Sequence, residues 1–148
     1  MTPPPTAPAE TGVLLPLTPA ECLELLATRP FGRLVLTHRA LPVVLPVNFL
    51  LDDGAVLLRV RPGSALSTAA GGAVVAFQVD DIDDATRTGW SVTVVGRADV
   101  VGDVLRRRAL TALAPWAGGE RDLVVRIGLE QVTGRRLAQV PVLPEAVA

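Results

Sequence analysis

Residues 42–66 read Pro-Val-Val-Leu-Pro-Val-Asn-Phe-Leu-Leu-Asp-Asp-Gly-Ala-Val-Leu-Leu-Arg-Val-Arg-Pro-Gly-Ser-Ala-Leu. Two apolar runs flank Asp52-Asp53-Gly54, a turn signal, so the stretch predicts a β-hairpin. The second run ends in Arg59 and Arg61 and a Pro62-Gly63 turn, which opens at Ser64 into a short helix of small residues. Guanidinium groups beside a helix start suit an anion such as a phosphate.

Working outward, Gly32 to His38 alternates and is rich in Val and Leu, and Arg39-Ala40 turns it back into the hairpin. Upstream, Thr18-Pro19-Ala20-Glu21 has the form of a capping box with proline in the first turn. It predicts a helix with Cys22, Leu25 and Leu26 on its apolar face and Leu23 alongside, stopping near Thr28 ahead of Pro30. Residues 1–12, rich in Pro, Ala and Thr, predict a mobile arm, leaving 13–148 as one domain. Downstream, Gly71-Gly72 closes the short helix. Ala73 to Val79 predicts a strand buried on both faces, and Asp80 to Asp84 a solvated loop. Trp90 to Val101 predicts a long strand that bends at Gly96. A helix over 104–114, a loop over 115–121, a strand over 123–129, a turn over 131–134 and a strand over 135–140 complete the chain. About six or seven strands joined mostly by tight turns predict a mainly antiparallel β fold, a small barrel with peripheral short helices.

Composition excludes several chemistries. All 14 basic residues are arginine. Without lysine there is no Schiff base, no internal aldimine and no Walker-type phosphate loop. Cys22 and His38 are each alone, so neither a Cys/His zinc site nor an internal disulfide is available. A carboxylate-rich metal site would need a different signature from the one this chain shows, and no metal ligand is assigned. A net charge of −1 gives no electrostatic reason for nucleic acid or an anionic membrane as partner. No apolar run has the length of a membrane span and no secretory signal is visible, so a cytoplasmic location is expected.

Several motifs, in order, carry a resemblance. They are Phe31-Gly32-Arg33-Leu34, Pro46-Val47-Asn48-Phe49, Arg59 with Gly63-Ser64-Ala65-Leu66, and Val75-Ala76-Phe77-Gln78-Val79-Asp80. Gly89-Trp90-Ser91-Val92, Gly96-Arg97-Ala98, Arg126-Ile127 and Val132-Thr133-Gly134-Arg135-Arg136-Leu137 complete the set. From Leu15 to Val140 the chain resembles the pyridoxamine 5'-phosphate oxidase-like FMN-binding split barrels, in particular their short bacterial flavin-nucleotide-binding members. The resemblance implies a homodimer with FMN at the subunit interface. It places Pro46, Val47, Asn48 and Phe49 along the flavin ring. Arg59, Val60, Ser64, Ala65 and Leu66 would face the ribityl phosphate, and Trp90 and Ser91 would close the site.

Two departures stand out. The family commonly has Ser or Thr where this chain has Val60, and Lys or Arg where it has Ala65. Arg61, two residues from Arg59 and so expected on the same strand face, is the candidate replacement, with backbone amides near Ser64. The resemblance implies a flavin-dependent oxidoreductase acting on a small molecule, with the flavin carrying the redox chemistry and no catalytic residue assigned. Pyridoxamine phosphate oxidation itself is not expected, because no extended substrate segment follows Arg136. The alternatives are a deazaflavin-binding protein and a non-catalytic split-barrel dimer that has lost side-chain phosphate ligands.

Overall fold

The structure, a computed structural model, describes residues 1–5, 9–113 and 123–142. Its elements run β1 (Glu10–Pro16), α1 (Pro19–Leu26), β2 (Phe31–His38), β3 (Leu41–Asn48), β4 (Leu50–Asp52), β5 (Ala55–Val60), α2 (Ala65–Ala69), β6 (Gly71–Asp83), β7 (Thr88–Val100), α3 (Asp103–Ala112), β8 (Leu123–Gly128) and β9 (Gln131–Pro141). The strands form one sheet in the order β3-β2-β6-β7-β8-β5-β4, with β9 branching from β7 and β1 pairing with β9. Every pairing is antiparallel, and the sheet curls around a single large apolar cluster. This is the expected split β-barrel.

The curl has an identifiable pivot. β7 pairs with β9 over Gly89–Val95 and with β8 over Ala98–Val100. Gly96 lies at the handover, where a Cβ would fall on the carbonyl oxygen of Gly128. Absence of a side chain there lets two strand backbones approach closely enough for β7 to change partners. Alternation then sorts the side chains. Val75, Phe77 and Val79 of β6, Val92 and Val94 of β7, and Val56, Leu58 and Val60 of β5 all enter the barrel core.

The opening hairpin splits in two. Its turn forms as expected, with Asp53 and Gly54 at φ 38° and 77°, a pair of left-handed residues that matches strand twist. The hairpin itself is short, pairing Leu50–Asp52 with Ala55–Leu57. The first apolar run breaks at Phe49, whose N–H donates to the carbonyl of Pro30 at 3.1 Å. Upstream of that break β3 pairs with β2 along its whole length, and β5 pairs instead with β8.

Four other expectations shift. Glu10–Gly12, placed in the arm, form the first half of β1. Asp80, Asp81 and Asp83 lie within β6 rather than in a loop, and Asp83 accepts from the N–H groups of Ala85 and Thr86 to close the turn to β7. Residues 131–134 are strand and not turn, because β9 starts pairing with β7 at Gln131. β6 is buried on one face only: Val74 is 59% exposed, and nothing among the described residues covers the outward side. The loop expected over 115–121 lies outside the described residues.

α1 follows its sequence signals. The Thr18 N–H donates to Glu21 Oε1 at 3.1 Å and the Glu21 N–H donates to Thr18 Oγ1 at 3.2 Å, a reciprocal capping box. Cys22 and Leu26 are fully buried. No helix among the described residues is long and apolar enough to cross a membrane.

Candidate functional site

Strand alternation divides the expected ring-wall residues. Val47 packs toward the barrel core, and Phe49 is buried there edge-on to Phe77, with ring centroids 4.8 Å apart. Pro46 is exposed on the outward face, where it pairs with Arg33. Asn48, paired with Phe31, shares that face by alternation. The N–H of Phe49 is already engaged by Pro30, so it is not available to a ring edge. Trp90 and Ser91 divide in the same way. Trp90 is buried in the core, while Ser91 faces outward between Asp80 and Arg135. Pro46, Asn48 and Ser91 are therefore the expected residues that the fold brings to one face.

That outward face is ordered in rows set by register. One row runs Val44, Val35, Ala76, Val95 across β3, β2, β6 and β7. The next runs Pro46, Arg33, Gln78, Thr93 and, on β9, Thr133. Arg33 Nη1 donates to Gln78 Oε1 at 3.2 Å and to Asp80 Oδ2 at 3.1 Å, and Gln78 Nε2 donates to the same Asp80 oxygen at 2.8 Å. Sequence reasoning left Arg33, Gln78, Thr93 and Thr133 out of the candidate site. The signal that places them there is period-two alternation carried across the cross-strand register. A cleft of about 310 Å³ lined by Ser91, Thr93, Thr133, Gly134 and Arg135 lies on this face. Another, of about 290 Å³, lies over Phe31, Arg33 and Asp80.

The phosphate end is arranged differently from expectation. Arg59 points away from the barrel core, under α3, where its Nη1 donates to the carbonyls of Leu113 at 2.8 Å and Leu110 at 3.4 Å. Val60 and Leu66 are buried core residues, and Ala65 packs partly against the same core. The Ser64 hydroxyl accepts from the Ser67 N–H at 3.3 Å and so caps α2. β5 ends at Val60, so Arg61 lies past the strand and not on its face. It is exposed, and its carbonyl accepts from the Ser64 N–H at 3.2 Å. The side chains expected around a phosphate therefore do not fit one as a set: one is tied to a helix end, one caps a helix and three are apolar.

Elsewhere the chain offers little independent chemistry. Burial, with the Glu21 charge second, pushes the Cys22 thiol up, away from the thiolate that nucleophilic work requires. His38 is half-buried at the end of β2.

The curled antiparallel sheet and its short peripheral helices define a split-barrel protein. Residues 18–136 match the pyridoxamine 5'-phosphate oxidase family, and the chain belongs to it. An uncharacterized protein of Mycobacterium tuberculosis is 44% identical over 125 residues, covering 79% of this chain and 81% of its own. Among solved structures, a FAD-binding protein from Mycobacterium smegmatis is 33% identical with a TM-score of 0.66, over 84% of this chain and 98% of that one. A FAD-binding protein from Mesorhizobium loti, 24% identical with a TM-score of 0.67 over 86% and 99% of the two chains, shows the same fold.

Proposed function

We propose that this chain is a dimeric, cytoplasmic, flavin-binding oxidoreductase of the pyridoxamine 5'-phosphate oxidase family, with FMN as the flavin. The observation that carries the reading is the outward sheet face, which no described residue covers. Val44 is 58% and Val74 59% exposed there, around a row of apolar side chains. An apolar row left exposed at the centre of an outer sheet face favours a second layer over it. A second copy of the chain supplies it, and the flavin then lies at the seam beside Pro46, Asn48 and Ser91. The family membership and the FAD-binding relative at 33% identity support a flavin. A bound flavin supplies hydride and electron transfer; the chain's own part is to position it and exclude water. The matching test is a titration with FMN and FAD, followed by flavin fluorescence. Saturable binding is expected, and no binding of either would overturn the reading.

A second reading rests on the phosphate end. Val60 and Ala65 supply no polar side chain and Ser64 is engaged in a cap, which suits a split-barrel dimer without catalysis, or one that holds a deazaflavin. Ala65→Lys separates the two. About a tenfold or greater gain in FMN affinity is expected of a flavin site short of one cation, since a charge-assisted hydrogen bond is worth that much. No gain would favour the second reading.

A further inference from the structure

The β7–β9 pair carries donors on its outward side that no other described residue engages. Ser91 stands opposite Arg135 and Thr93 opposite Thr133 in the register. Paired side chains on antiparallel strands stand about 5 Å apart at Cβ, and the next residue on the same face lies about 7 Å along the strand. The four side chains therefore frame one small opening, in the cleft of about 310 Å³ that they line with Gly134. Ser91 and Thr93 are half-buried, while Thr133 and Arg135 are exposed. Among the described residues, none of the three hydroxyls and no part of the Arg135 guanidinium takes part in a hydrogen bond or ion pair. The strand that carries two of them is held from the other side. The Gly134 carbonyl accepts from the Leu17 N–H at 3.0 Å, and a Cβ at Gly134 would lie 2.7 Å from Cys22 Sγ, so β9 is pressed against α1. Asp80, opposite Ser91 on β6, is the nearest carboxylate in register. Its Oδ2 already accepts from Arg33 and Gln78, which offsets its charge, so the opening keeps the positive charge of Arg135.

We propose that this opening is an oxyanion site, and that its ligand is the phosphate-ester or carboxylate group of the small molecule that reacts with the flavin. Three hydroxyls and a forked guanidinium offer donors to several oxygens at once, which suits either group. The cleft brings no carboxylate of its own for a cation. The assignment to the reactant rests on the flavin reading; the oxyanion site does not. Ser91 borders both the opening and the place proposed for the flavin ring, whereas the flavin's own phosphate lies at the far end of the ribityl chain.

The site is tested by titrating the natively purified protein with inorganic phosphate, with chloride at equal ionic strength as the control, and reading backbone amide shifts by NMR. Saturable shifts are expected around Ser91, Thr93, Thr133 and Arg135, with chloride moving them far less. Arg135→Met, which keeps an apolar stem, should weaken phosphate about tenfold, and Thr133→Val, which replaces the hydroxyl by a methyl, about threefold. Both positions are exposed, so neither change disturbs the core. No saturable shift, equal shifts with chloride, shifts centred elsewhere, or an affinity that either substitution leaves unchanged overturns the site. A second measurement separates the two sources of the anion. The ratio of FMN to riboflavin affinity isolates the flavin's phosphate, and Arg135→Met is expected to leave that ratio within about twofold. A fall of about tenfold assigns the opening to the flavin's phosphate and overturns the assignment to the reactant. If the wild-type protein binds neither flavin, the flavin reading and that assignment fall together. The phosphate titration alone then decides the site: saturable binding that depends on Arg135 supports it, and its absence overturns it.

Discussion

Gly96 is where a single atom matters most. The β7 backbone passes so close to Gly128 that any Cβ would meet its carbonyl oxygen. Neither partner is the end of a flexible side chain, so the strain cannot be relieved by a rotamer change. Gly96→Ala is expected to cost about 3 kcal/mol or more, measured by denaturant unfolding. A loss of only a few tenths would mean that β7 does not bend against β8 as described. Arg59 makes the complementary point. Its position beside an apolar strand and a Pro-Gly turn suggests an anion site, yet its face of β5 is fixed by alternation, and that face belongs to α3.

At the scale of elements, α1 is the most self-contained. The Thr18 backbone N–H, and then the Thr18 hydroxyl, hold the Glu21 carboxyl below its ordinary range. A carboxyl lowered on folding stabilises fully above its unfolded value and loses that contribution as the pH falls through its folded value. The capping box is therefore complete at neutral pH and fades as the pH drops below the ordinary glutamate value of 4.5. Glu21→Gln should melt below the wild type at neutral pH, and the gap should close in acid; a constant gap would contradict the charge argument. Thr18→Ala should cost about 1 kcal/mol. Local signals of this kind made α1, the Asp53-Gly54 turn and the Gly96 bend readable from sequence. What could not be read depended on partners far along the chain. β1 has few strand signals of its own and exists because β9 offers it an edge. The apolar run over 42–51 looks continuous, but Pro30 captures Phe49 and sends β3 to β2. The aspartates after Val79 look like a loop, yet β7 pairs with them through Asp83. In the candidate site, the ring-wall motif was legible as a motif, while which of its side chains faced outward needed the register.

At the scale of the whole molecule, the proposed function rests on the outward face of the barrel, which no described residue covers. The row Val44, Val35, Ala76, Val95 is the apolar centre of that face, flanked by the Arg33–Gln78–Asp80 network. Val44→Glu places a charge at its most exposed position, and should shift the protein from dimer to monomer in sedimentation without changing its circular dichroism. A wild-type protein that sediments as a monomer would remove the seam in which the flavin is proposed to lie. Whether the chain holds a flavin is read most directly by mass spectrometry of the small molecule released from natively purified protein. FMN is expected, with the protein itself yellow before release. Release of a deazaflavin would favour the second reading, and a colourless protein that releases no flavin and takes up neither FMN nor FAD would contradict the first.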